Sequence, residues 1–161
     1  MKQLLITIAA VVLVGCGNPE ADRALFTAVK AESIQAIEQA IAAGADVNAK
    51  DQRDPMGWTP LHLAATKEVV ELLIANGADV NAKGKEGETL LHFPETKEIA
   101  ELLIAAGADV NARDEYGYTP LDMVGPFEDD SPEDQVNSME IADLLRKHGG
   151  KTKKELEAAG N

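Results

Sequence analysis

The chain has one cysteine, few aromatic residues, and 15 lysines and arginines against 28 aspartates and glutamates. Each shortage excludes something. A single cysteine forbids an intramolecular disulfide and cannot build a zinc site of the usual paired kind. A formal charge of −13 repels phosphate backbones and anionic headgroups. The one basic cluster, Lys151, Lys153 and Lys154 broken by Thr152, is no substitute for the basic stripe that releases counterions on nucleic acid, so nucleic acid is not an expected partner. With aromatics at 4%, the apolar surface comes from Ala, Leu, Ile and Val, which suits thin layers of close-packed helices better than one thick core. No apolar run reaches the roughly 20 residues that a membrane-spanning helix needs.

The longest apolar run, Leu4 to Val14, is broken only by Thr7 and follows Lys2. A short basic start and a compact apolar stretch form the pattern of an export leader. The run ends at Leu13-Val14-Gly15-Cys16, which resembles the lipobox of bacterial lipoproteins, and the lone cysteine falls at the lipid-accepting place. An ordinary signal peptide cut nearby, or an apolar N-terminal helix burying a free thiol, are the other readings of these residues. The resemblance implies a leader over residues 1–15, lipidation of Cys16 and a tether over 16–22, in which Gly17, Asn18 and Pro19 break structure. It places the protein in the bacterial cell envelope. Gly17 is not the aspartate that holds some lipoproteins at the inner membrane, which favours the outer membrane facing the periplasm, with a Gram-positive cell surface as the alternative.

Beyond the leader the sequence repeats itself. Gly-Ala-Asp-Val-Asn-Ala occurs at Gly44, Gly77 and Gly107. A second string begins at Gly57 (Gly-Trp-Thr-Pro-Leu-His), Gly87 (Gly-Glu-Thr-Leu-Leu-His) and Gly117 (Gly-Tyr-Thr-Pro-Leu-Asp), and Thr66 to Ile74 returns as Thr96 to Ile104. Thr59 and Thr119 suit helix N-caps, and Pro60 and Pro120 suit the first helical position, where no backbone donor is needed. Thr66 opens a second, more apolar helix, which Gly77 and Gly107 end in left-handed geometry. Asp79 and Asn81 then start a turn into a hairpin-like finger.

These strings resemble the ankyrin repeat. The resemblance implies an all-α solenoid of about four stacked helix-turn-helix units joined by fingers, with units near 23–50, 57–83, 87–113 and 117–150 and a tail over 151–161. The first unit is expected to pair a helix at Ala24 to Lys30 (Leu25, Phe26 and Val29 inward) with one at Ser33 to Ala42 (Ile34, Ile37 and Ile41 inward), leaving Glu32, Gln35, Glu38 and Gln39 outside. The last is expected to pair Thr119-Pro120-Leu121-Asp122 with a helix from Met139 to Lys147. The tail reads as one frayed turn whose deletion is tolerated.

The chain departs from the family pattern in several places. The usual period is about 33 residues, but the middle units are trimmed between Ala65 and Glu68, so their first helices should be stubby. Pro94 should end one of them near Phe93. The finger from Asn48 to Gly57 is longer than the one from Asn81 to Gly87. A loop from Gly125 to about Ser138, carrying Glu128, Asp129, Asp130, Glu133 and Asp134, reads as a solvated acidic segment. It lacks the Asp-x-Asp-x-Asp-Gly spacing of a calcium loop.

Catalytic chemistry finds no home. His62 and His92 recur at one repeat position, where the family's histidine ties its helix start to neighbouring turns. No strained nucleophile elbow or phosphate loop is present, so the chain reads as no enzyme and needs no cofactor. What remains is a surface. In ankyrin proteins the finger tips and first helices bind partners, which here designates Met56, Trp58, Lys85, Glu86, Glu88, Tyr116 and Tyr118. Large rings on a rigid scaffold bury area at little entropic cost, although Trp58 can also pack on its own finger and Pro60. The reading is a monomeric, lipid-anchored scaffold binding an unidentified envelope protein. Narrower alternatives are an immunity or inhibitor protein that neutralises a basic toxin or envelope enzyme, and a structural spacer.

Overall fold

The computed structural model describes residues 18–51, 53–125 and 131–160. The leader, the lipobox and Cys16 lie outside them, as do Glu128, Asp129 and Asp130. Within the described residues all regular structure is helical. The α-helices are α1 (Pro19–Lys30), α2 (Ile34–Ala42), α3 (Lys67–Ala75), α4 (Lys97–Ala105), α5 (Pro120–Met123), α6 (Pro132–Lys147) and α7 (Lys153–Ala158), with 3₁₀ turns at Pro60–Leu63 and Leu90–His92. Two layers result: α1, the two 3₁₀ turns and α5 stand in front of α2, α3, α4 and α6, and α2, α3, α4 and α6 pack one on the next along the stack. The core runs through both layers as one column, with Leu25, Val29, Ile37, Leu61, Val69, Leu73, Leu91, Ile99, Leu103, Ile141 and Leu145 essentially without solvent contact. Each such side chain contributes about 1.5–3 kcal/mol by leaving water.

The repeated Gly-Ala-Asp-Val-Asn string makes both a helix end and a bridge. Gly77, at φ 88°, lets its own N–H reach Ile74 O and that of Ala78 reach Leu73 O, at 3.0 Å each, closing α3. Asp79 Oδ1 then accepts from Asn81 N–H at 2.9 Å, which turns the chain into the finger. Asparagine does the bridging. Asn48 donates its amide to Gly77 O (3.0 Å) and accepts from Asp79 N–H (2.8 Å); Asn81 does the same to Gly107 and Asp109, and Asn111 to Gly149 and Lys151. At the front end Asp22 accepts from Asp46 N–H at 2.7 Å. A polar ladder therefore stitches every unit to the next, satisfying backbone groups that the helix ends leave open.

Four expectations are corrected. First, α1 begins at Pro19, not Ala24, because Asn18 accepts from the N–H groups of Glu20 and Ala21 and Pro19 takes the first helical position. Residues 19–22 are thus helix rather than tether. Second, Ile34 is 38% exposed at the start of α2 while Ile37 is fully buried. Third, α6 begins at Pro132, capped by Ser131, so Glu133 and Asp134 form its first turn, where carboxylates favour the helix dipole, instead of a loop reaching Ser138.

Fourth, the tail is not frayed: α7 is capped by Thr152, buries Leu156, and is held by Arg146 to Glu155 at 2.8 Å. Thr152 N–H and Arg146 hold the Glu155 carboxyl down to about 2. The trimmed middle units do have stubby first helices, of four and three residues, and Phe93 terminates the second of them just before Pro94. No helix among the described residues is long and apolar enough to cross a membrane.

Candidate functional site

The finger edge rests on the junctions beneath it. Thr59 N–H donates to His62 Nδ1 at 3.2 Å, so Nδ1 carries no proton and the ring's hydrogen sits on Nε2. That nitrogen faces Glu88 O in the next unit at 3.3 Å. The arrangement recurs one unit later: Thr89 N–H donates to His92 Nδ1 at 3.0 Å and His92 Nε2 points at Tyr118 O at 3.4 Å. Burial is the largest influence on both rings and pushes their pKa values below the ordinary 6.5. Neutral imidazole is thus the bridging form. In the last unit Asp122 Oδ2 accepts from Thr119 N–H at 2.9 Å, as Nδ1 does in the others. The element that follows, α7, offers a donor instead of a carbonyl, and Lys153 N–H reaches the same oxygen at 2.7 Å.

Above these junctions the fingers join tip to tip. Lys85 N–H donates to Met56 O at 2.8 Å and Glu115 N–H to Glu86 O at 2.7 Å. Gly57, at φ 62°, permits the close approach, since a Cβ there would come within 2.9 Å of the Lys85 side chain. Lys85 and Glu86 are exposed and Met56 half-buried. Tyr116 is 60% and Tyr118 44% exposed. Lys153 closes the edge, donating to Tyr116 O at 2.6 Å and standing 4.9 Å from the centroid of the Tyr118 ring.

Trp58 and Glu88 behave differently. The half-buried indole lies parallel to His62, with ring centroids 6.3 Å apart, and donates from Nε1 to Glu88 Oε1 at 2.9 Å. Glu88, expected on the partner-facing rim, is only 4% exposed. Its carboxylate lies over Gly84, where any side chain would collide with it, and Oε2 is buried without a hydrogen-bond partner. The rim therefore consists of Met56, Lys85, Glu86, Tyr116 and Tyr118, with Trp58 presenting one edge. Two residues join them that the repeat pattern did not designate: Lys153 from α7, and Phe93, half exposed where Pro94 stops its helix. The proline was the signal for the second.

A family model described as ankyrin repeats in three copies matches residues 2–84 and 66–125. No curated protein matches the chain. Repeated helix pairs, the asparagine ladder and this match over most of the sequence lead to one conclusion: the chain belongs to the ankyrin-repeat family, whose members are protein-interaction scaffolds.

Proposed function

We propose that this protein is a non-catalytic scaffold, anchored in a bacterial envelope through lipid on Cys16, whose finger edge docks another envelope protein. The observation that carries the docking role is the exposed pair Tyr116 and Tyr118 on fingers fixed by backbone bonds to their neighbours. Rigid support lets such rings bury area at small entropic cost. The support for the anchor is the apolar run from Leu4 to Val14 ending at the chain's lone cysteine. Only Gly17 separates Cys16 from the cap residue Asn18, so about 7 Å of chain would join the lipid to the solenoid. The first unit would then ride against the membrane.

Intact mass and membrane fractionation of the protein beside Cys16→Ser test the anchor. A chain starting at acylated Cys16, lost from the membrane in the variant, is the expected result; an uncleaved chain in the soluble fraction would overturn it. A photo-crosslinker at Tyr118 in living cells tests docking, with a discrete adduct to one envelope protein expected. The formal charge of −13 favours, within this reading, an inhibitor of a basic protein. Its affinity should then fall steeply with salt, and a salt-insensitive complex would exclude that version.

A further inference from the structure

The front layer of the solenoid is uneven. Helix α1 has 12 residues, about 18 Å of length at 1.5 Å per residue, whereas the two 3₁₀ turns beside it have four and three residues, about 8 and 6 Å. The layer behind is not cut back to match: α3 and α4 have nine residues each and α6 has 16. The missing length leaves a recess in front of the second layer.

Two adjoining hollows make it up. One, of about 180 Å³, is lined by Trp58, His62, Leu63, Leu90, Phe93 and Glu95 among others. The other, of about 260 Å³, lies between Phe93-Pro94-Glu95 and a wall that includes Met123, Asp134 and Asn137. Phe93 and Glu95 belong to both.

The recess is built, not a gap between loose loops. Asn137, from the extended start of α6, donates to Glu95 O at 3.0 Å and accepts from Lys97 N–H at 3.2 Å, clamping the trimmed turn from behind. Phe93 stands between the hollows with half its surface in water, because Pro94 ends the 3₁₀ turn and takes its ring out of the core-facing row. On the rim Glu95 and Asp134 are exposed. The neighbouring cation Lys97 is turned to Glu140, 3.4 Å away.

We propose that this recess binds a partner segment carrying an aromatic or long aliphatic side chain between lysine or arginine residues. The apolar side chain fills a hollow beside Phe93, while a flanking cation takes the Phe93 face and the Glu95 carboxylate together. The acidic rim and the charge of −13 draw such a segment in and repel a second copy of this chain. The proposal rests on the protein-binding reading above and adds the site and the chemistry of its ligand.

A displayed library of random linear peptides, selected on the immobilised full chain, tests it. Enriched peptides should carry Lys or Arg on both sides of an aromatic or aliphatic residue and should shift the fluorescence of Trp58, the chain's one tryptophan. Their affinity should fall at least about tenfold in Phe93→Ala and in Glu95→Lys, and by a smaller factor in Phe93→Leu, which keeps the apolar wall but loses the ring face that the cation uses. Both substituted residues are exposed, and the unchanged melting point of Glu95→Lys separates lost binding from lost fold. Enriched peptides with neutral or acidic flanks, or binding that survives either substitution, would overturn the proposal. If no peptide is enriched while Tyr118 still crosslinks to an envelope protein, the recess is overturned and the scaffold reading stands; if both fail, the scaffold reading falls with it.

Discussion

The two inner junctions of this solenoid are made with histidine and the last is made with aspartate. His62 and His92 each accept a threonine N–H on Nδ1 and point Nε2 at a carbonyl of the following unit. Asp122 accepts the same threonine N–H but meets a following backbone donor, Lys153 N–H. The residue type is thus set by what the next element presents: a donor-acceptor ring where a finger carbonyl comes next, an acceptor-only carboxylate where a capping helix shows its N–H. The departure at Asp122 goes with the helix N–H that meets it.

Removing the cap breaks the comparison most severely. Truncation after Gly150 discards buried Leu156 and takes one partner each from Asn111 Oδ1, Asp122 Oδ2 and the Thr119 hydroxyl, which donates to Lys151 O at 2.7 Å. With about 2 kcal/mol for the leucine and about 1 for each of the three polar bonds, the loss should be about 5 kcal/mol, or about 15 °C in a thermal melt. A shift below about 2 °C would show that the last unit closes without α7.

Exchanging the two junction residues is the sharper experiment. His92→Asp would set a carboxylate against Tyr118 O at a site only 1% exposed, and should cost about 3 kcal/mol by urea unfolding. Asp122→His would aim a ring at the Lys153 N–H and should cost less, about 1–2 kcal/mol, since the site is half-buried. Equal tolerance of both exchanges would mean that junction chemistry does not select the residue.

How much of this was legible in the sequence differs by element. The Gly-Ala-Asp-Val-Asn strings disclosed the period and the helix ends, because glycine and an Asp-x-Asn turn have local geometry. They did not disclose the ladder, since each asparagine's partners lie about 30 positions away. Three element boundaries went unread for one shared reason. Asn18-Pro19 looked like a break, Ser131-Pro132 like part of an acidic loop, and Thr152 to Glu155 like a frayed tail, yet each is a capping residue followed by a helix start. Glu88 was misplaced because its repeat equivalents, Trp58 and Tyr118, are partly or largely exposed. Its burial is explained by the space that Gly84 leaves for its carboxylate and by the Trp58 indole that donates to it.

Acid should separate the histidine junctions from the α7 cap in solution. Burial favours neutral His62 and His92, so the unfolded chain takes up protons first once the pH falls below about 6.5. The stability they contribute is complete above that value and drains as the pH falls toward their lower folded values. Urea midpoints should therefore drop between pH 7.5 and 5.5, and His92→Ala should flatten the slope. Glu155 acts in a lower window: its contribution is present above its ordinary 4.5 and is lost as the pH falls toward about 2. Detachment of α7 should follow the histidine transition, not precede it.

The smallest effect on stability is expected at Tyr118, and it separates scaffold from surface. The junction uses the Tyr118 carbonyl, which Tyr118→Ala keeps, while the ring is 44% exposed and meets the Lys153 ammonium at 4.9 Å. Exposed cation-ring pairs contribute about 0.5–1 kcal/mol, so the melting point should fall by no more than about 3 °C. Loss of the envelope adduct from a crosslinker at the adjacent Tyr116 in that variant would assign the ring to binding. Retention of the adduct, with the fold equally intact, would leave Tyr118 as spacing between Asp114, which accepts its N–H at 2.8 Å, and the histidine that reads its carbonyl.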